Sequence, residues 1–181
     1  MKIKIGVMGS AAAAASSITA QAIALGQALA GRDVLLLTGA TTGLVYQVGK
    51  TAKDAGVFHT GISPASSQSE HVERYKLPLD GCDLLIFTGF GLKGRNVVLV
   101  RSCDIAIFVA GSMGSLNEFT IAYDEGKIIG CLTGTGGVAD EAVYLQEKFS
   151  KETTSRVIAD ADPVRLVDAC MRELKAVGTV R

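Results

Sequence analysis

The sequence predicts an α/β fold: a mostly parallel sheet of about six or seven strands between two layers of helices. Three observations predict it. Short, nearly continuous apolar runs recur, as in Asp33–Thr38 (DVLLLT), Cys82–Thr88 (CDLLIFT) and Asp104–Val109 (DIAIFV). Such runs suit strands covered on both faces. Stretches with helical spacing alternate with them, which implies parallel strands joined by crossovers. Glycine is abundant, 21 of 181 residues, against roughly 13 at average usage. Twelve of these glycines fall at strand ends or in the turns that follow.

The elements follow in order. Lys2–Met8 is the first strand. Ile18, Ala22, Leu25 and Leu29 recur at helical spacing and place a helix over Ser16–Ala30, with Gly31 as its stop. Asp33–Thr38 is the second strand, followed by a helix over Gly43–Ala55 that ends at Gly56. Val57–Ser63 is the third strand. Pro64–Asp80 is polar, carries two prolines and reads as a long loop that either borders a ligand pocket or is only a connection. Cys82–Thr88 is the fourth strand, with a helix over Gly94–Cys103. Asp104–Val109 is the fifth, with a helix over Ser115–Glu125. Lys127–Thr133 is the sixth, and the glycine-rich loop Gly134–Gly137 leads into a helix over Val138–Phe149. Arg156–Ala159 is a short edge strand and Pro163–Val177 a closing helix. No repeat or linker interrupts the pattern, so residues 1–181 form one domain.

Composition excludes several classes. With 48% hydrophobic and 20% charged residues and a mean hydropathy of +0.33, disorder is excluded. Eighteen basic and eighteen acidic residues give zero net charge, which argues against a nucleic-acid coat and an anionic-membrane binder. No charge occurs from Ile5 to Gly31. A signal peptide or membrane helix is the first thought for such a run, but Gly6, Gly9, Ser10, Ser16, Ser17, Gln21 and Gln27 interrupt it. Strand, turn and helix in a cytoplasmic protein is the expectation. A helix without charge on its outer face calls for a covering layer or subunit. With the apolar run Val97–Val100 it supports an oligomer. Cys82, Cys103, Cys131 and Cys170 lie far apart, and only two histidines, His59 and His71, are present. Neither a disulfide framework nor a metal site is expected.

The glycine turns carry the functional signal. In an open parallel sheet, ligands bind outside the carboxyl ends of the strands. Glycine there lets backbone N–H groups approach a phosphate, and a helix N-terminus adds a favourable dipole. Gly89-Phe-Gly-Leu-Lys-Gly94 has the GxGxxG form but follows the fourth strand, and no acidic residue ends the next one, which argues against NAD. Ala110-Gly-Ser112-Met-Gly114 is similar in form to a nucleophile elbow, yet both histidines precede Ser112, out of order for a serine hydrolase. Ser115-Leu-Asn-Glu118 reads either as a capping box or as a carboxylate at the rim of the glycine turn. Arg95, early in its helix, opposes the macrodipole and is placed to clamp a phosphate.

These residues together resemble the LONELY GUY (lysine-decarboxylase-like) group of Rossmann-like proteins in the SLOG superfamily. That group carries a PGGxGTxxE motif after a strand and an Arg-Lys pair one helix upstream. Ala110-Gly111-Ser112-Met113-Gly114-Ser115-Leu116-Asn117-Glu118 stands at the motif, and Arg95 at the arginine. Gly6-Val-Met-Gly9-Ser10 and Gly39-Ala40-Thr41-Thr42-Gly43-Leu44-Val45 are similar to the family's earlier turns. Thr88-Gly89-Phe90-Gly91, Arg95-Asn96 and Gly61-Ile62-Ser63-Pro64 resemble the molybdenum-cofactor-carrier-like branch, whose members are described as nucleotide-binding. The resemblance implies a Rossmann-like three-layer αβα sandwich and a homodimer or homotetramer. It also implies a phosphorylated small molecule, either a nucleotide or the molybdenum cofactor (molybdopterin), bound by Gly9, Ser10, Gly39, Thr41, Thr42, Gly43, Gly89, Arg95, Asn96, Gly111, Ser112, Met113, Gly114, Ser115 and Glu118. The group's enzymes cleave the N-glycosidic bond of cytokinin nucleoside 5'-monophosphates. By resemblance, Arg95 and Glu118 would be the catalytic pair of such a phosphoribohydrolase. Asn96 stands where those enzymes have lysine, Ala110 where they have proline, Ser112 where they have glycine and Ser115 where they have threonine, so a binding protein is the leading expectation.

Overall fold

Seven strands alternate with six α-helices in the computed structural model, which describes residues 1–149 and 151–179. The strands are β1 (Ile3–Gly9), β2 (Val34–Thr38), β3 (His59–Ser63), β4 (Leu84–Phe87), β5 (Ile105–Val109), β6 (Ile128–Leu132) and β7 (Arg156–Asp160). The helices are α1 (Ser16–Ala28), α2 (Gly43–Asp54), α3 (Gly91–Ser102), α4 (Met113–Asp124), α5 (Val138–Lys148) and α6 (Pro163–Thr179). Every strand pairing is parallel, in the order β4-β3-β2-β1-β5-β6-β7. The fold is a Rossmann-like three-layer α/β sandwich.

Strand alternation splits the core in two. Ile5 and Val7 of β1, Leu36 of β2, and Ile105, Ile107 and Val109 of β5 face one way, against α1, α2 and α6. Met8, Leu37, Ala106, Phe108, Ile129 and Cys131 face the other way, against α3, α4 and α5. Phe108 is fully buried and meets Phe119 of α4 edge to face, with ring centroids 5.8 Å apart. The uncharged α1 is explained by position: it packs against both α2 and α6. Its Ala22, Leu25, Gly26 and Ala28 are buried. Gly26 is packed so closely that an added Cβ would lie 2.7 Å from the Val48 carbonyl oxygen. No helix among the described residues is long and apolar enough to cross a membrane. All four cysteines are free.

Several boundaries depart from the sequence reading: α1 ends two residues early, at Ala28, and β3 and β4 begin two residues late, at His59 and Leu84. Helices α3 and α4 start earlier than expected, at Gly91 and Met113. Their first turns contain Gly91, Gly94 and Gly114, which carry no apolar periodicity, so the helical signal begins a turn late. The segment 64–80 is not wholly irregular: Glu70–Arg74 forms a π-helical turn. Buried His71 braces this segment. Its Nδ1 accepts from Ser63 Oγ (2.8 Å), whose oxygen also accepts from Ala65 N–H, and its Nε2 donates to the Pro78 carbonyl (3.0 Å).

Candidate functional site

The strand order reverses between β1 and β5. Chain connections leave the two strands in opposite directions there and open a crevice at their carboxyl ends. A cavity of about 210 Å³ lies at this edge, on the side of α3 and α4. Its walls come from Gly9 after β1, Gly39 and Thr41 after β2, Arg95 and Asn96 of α3, and Ser112, Gly114, Ser115 and Glu118 at the start of α4.

The Arg95 side chain is only 7% exposed. Its Nη1 lies 3.8 Å from Glu118 Oε1, an ion pair without a hydrogen bond. Its Nε is buried with no partner among the described residues. A buried donor left unsatisfied costs about 1–3 kcal/mol, and more when charged. Burial lowers the Arg95 pKa, while Glu118 partly restores it. Burial also pushes the Glu118 carboxyl up to about 7, against the opposing pull of Arg95 and then Lys93. Asn96, also buried, has one end of its amide 3.0 Å from both Glu118 Oε1 and the Leu92 carbonyl; with its nitrogen turned to that end the amide donates to both.

The start of α4 completes the site. Ser112 is its N-cap and makes no side-chain capping bond, and no acidic residue stands in the first turn. Leu116 N–H donates to the Ser112 carbonyl (2.8 Å), the first bond of the helix. The N–H groups of Met113, Gly114 and Ser115 precede it and have no intrahelical acceptor. Unopposed, this N-terminus attracts an anion. The capping-box reading of Ser115 and Glu118 does not hold: Ser115 sits inside the first turn, and Glu118 lines the cavity instead of reaching back.

Other glycine turns are already engaged. At α2, Leu44 N–H donates to the Ser10 carbonyl (2.9 Å) and Thr42 Oγ1 to the Ala11 carbonyl (2.7 Å). Gly43 packs on Ala11, whose carbonyl carbon an added Cβ would approach to 2.4 Å, so Ser10, Thr42 and Gly43 form a buttress outside the cavity. Gly89 N–H donates to the Ala65 carbonyl (2.9 Å) and turns away toward residues 64–66. The Gly134–Gly137 loop is filled by the chain's own carboxylate: Asp140 accepts from Gly134 N–H (2.7 Å) and Gly136 N–H (2.9 Å). Thr135 Oγ1 accepts from Ala110 N–H (2.8 Å), and Val138 and Ala139 N–H donate to the Gly111 and Ala110 carbonyls. That loop supports the β5–α4 turn and leaves no vacant N–H array for a phosphate.

Of the residues named from sequence, Gly9, Gly39, Thr41, Arg95, Asn96, Ser112, Gly114, Ser115 and Glu118 line the cavity. Ser10, Thr42, Gly43, Gly89, Gly111 and Met113 do not; Gly111 packs beneath Ser115 and the Met113 side chain is exposed. Val7, Met8, Ala11, Val45, Leu92 and Lys93 line it without having been named. Lys93 was the findable one, standing two positions before Arg95 in the same glycine-flanked turn. None of residues 64–80 borders it. Among the described residues, no group of His, Cys, Asp or Glu is placed to hold a metal ion.

The chain resembles several solved structures along almost its whole length. The structure of TM1055 superposes with a TM-score of 0.79 at 21% identity, covering 94% of this chain and 99% of that one. The molybdenum cofactor carrier protein of Chlamydomonas reinhardtii gives 0.73 at 28% identity, covering 97% and 99%. The molybdenum cofactor binding protein of Rippkaea orientalis gives 0.75 at 26% identity, covering 98% of each. An uncharacterized protein of Archaeoglobus fulgidus is 32% identical over 108 residues, which are 60% of this chain and 66% of that protein, just under two thirds of its length. The SLOG cluster4 family model matches residues 2–167. That match spans well over half of the chain, and the chain belongs to the SLOG cluster4 family.

Proposed function

We propose that this protein binds a phosphorylated small molecule, a nucleotide or a pterin of the molybdenum-cofactor kind, at the carboxyl edge of its sheet. The observation that carries this reading is the buried, unpartnered Nε of Arg95 beside the unopposed N-terminus of α4. A phosphate placed there accepts from the guanidinium and from the first-turn N–H groups, and so satisfies donors that the fold leaves open. Lys93 adds a second cation at the cavity wall. The cavity, about 210 Å³, is below the usual range of sites that engulf a whole ligand. It suits the phosphate and the group next to it, with the heterocycle toward the mouth, where Leu92 is exposed. The carrier and binding proteins of similar fold support a pterin ligand. The test is mass spectrometry of small molecules released from the purified native protein, with thermal shifts in phosphate, tungstate and AMP. A bound phosphorylated heterocycle, or a Tm that rises with concentration, is the expected result. Absence of both overturns the reading.

A phosphoribohydrolase is the second reading, favoured by one observation: the Glu118 carboxyl shares the cavity with Arg95. There it is placed to stabilise positive charge developing on a ribose or to polarise a water. Incubation with AMP and isopentenyladenine riboside monophosphate decides it. Free base formed by the wild type and lost in Glu118→Gln is the expected result for an enzyme, and no free base removes this reading for those substrates.

A further inference from the structure

We propose that Gly39 is the positioning residue of this site: its bare Cα is the seat on which the Arg95 guanidinium lies. The inference rests on the anion-binding reading and specifies how the fold holds its cation. Backbone conformation does not ask for glycine at 39. The left-handed residue in this turn is the next one, Ala40, at φ +51°, and it carries a side chain. Gly39 is outside the positive-φ region where glycine is favoured. What position 39 lacks is space. A Cβ there would fall on Arg95 Nη1, and within 2.6 Å of Cζ and 2.9 Å of Nη2. The guanidinium is buried, with Glu118 at 3.8 Å and the cavity beside it. A side chain at 39 therefore drives it into the cavity or away from Glu118, and in either case off the position that meets an anion beside α4.

The test uses the full-length protein, with AMP and inorganic phosphate as probes. In ¹⁵N-labelled protein, the Arg95 Nε–H resonance is assigned by its loss in Arg95→Met. Gly39→Ala is expected to shift that resonance without ligand and to weaken AMP and phosphate binding about ten- to hundred-fold, the scale of a lost charge-assisted hydrogen bond. Ala40→Gly, which relaxes the strained residue, is expected to change neither. The double variant Gly39→Ala/Arg95→Met should bind no more weakly than Arg95→Met alone, because a residue acting through Arg95 has no effect once Arg95 is gone. If Gly39→Ala folds poorly, the second substitution should restore folding by vacating the same space. An unmoved Nε resonance, additive losses in the double variant, or misfolding that Arg95→Met does not rescue overturns the inference. Failure of the wild type to bind either probe overturns the functional reading, while the resonance still reports on the seat.

Discussion

Glu118→Gln is expected to make the protein more stable relative to wild type as pH rises. The Glu118 side chain is 8% exposed, and burial lifts its pKa from an ordinary 4.5 to about 7. The folded state thus holds this proton more tightly than the unfolded chain. That contribution to stability is fully present below pH 4.5 and is lost as pH rises through 7. The span from 4.5 to about 7 corresponds to on the order of 3 kcal/mol. The value of about 7 already contains the opposing pull of Arg95, and an Asn96 amide nitrogen turned toward the carboxylate at 3.0 Å lowers it further, so this magnitude is a ceiling. Glutamine keeps the shape and has no proton to lose, so the variant escapes the penalty. Subtracting the two proteins removes the titrations that they share. Urea unfolding at several values from pH 5 to pH 8 measures the difference, which should move by about 2 kcal/mol in favour of glutamine. A difference that stays flat, or that moves toward the wild type with rising pH, refutes the reasoning that this carboxyl is buried beside an insufficient counter-charge.

Further outcomes follow from the same structure. His59 is buried, its Nδ1–H donates to the Gly81 carbonyl (2.6 Å) and its Nε2 accepts from Thr38 Oγ1 (2.8 Å). Burial lowers its pKa from 6.5. Its stabilising contribution is therefore present above pH 6.5 and lost as pH falls below it. His59→Gln should flatten the acid limb of the stability profile; an unchanged limb sinks the assignment. Asp140→Ala strips the acceptor from Gly134 and Gly136 N–H and should cost about 1–2 kcal/mol in denaturant. Phosphate binding should be unchanged, and a gain in phosphate affinity would show that this loop does take an anion. Phe108→Ala, at a fully buried position, should cost about 3–5 kcal/mol, and a loss below 1 kcal/mol would contradict the two-core packing.

Elements were legible wherever apolar runs were long and both faces were covered. β5 reads Ile-Ala-Ile-Phe-Val, fully buried, and its bounds match the apolar run to within a residue. The edge strand β7 was legible too, although Arg156 and Ala159 are exposed. The starts of α3 and α4 were not, because glycine-rich first turns have no hydrophobic period to read. Arg95 and Glu118 stood out as charges beside glycine turns, and the structure brings them to 3.8 Å. What the sequence could not separate was an open glycine turn from a filled one. Gly111-Ser112-Met113-Gly114 and Gly134-Thr135-Gly136-Gly137 look alike on paper. Their difference lies in Asp140, four residues after Gly136, whose carboxylate closes the second turn. The reason for Gly39 was equally hidden, because it depends on a guanidinium fifty-six positions away in sequence.

The central claim is that Arg95 and the N-terminus of α4 together take a phosphate. Calorimetric titration of AMP and inorganic phosphate into the wild type and Arg95→Met at pH 7 tests it most directly. Wild-type protein should bind both, with affinity falling as salt rises, and Arg95→Met should lose about tenfold or more for each. Equal affinity of the two proteins for AMP and for phosphate would contradict the account.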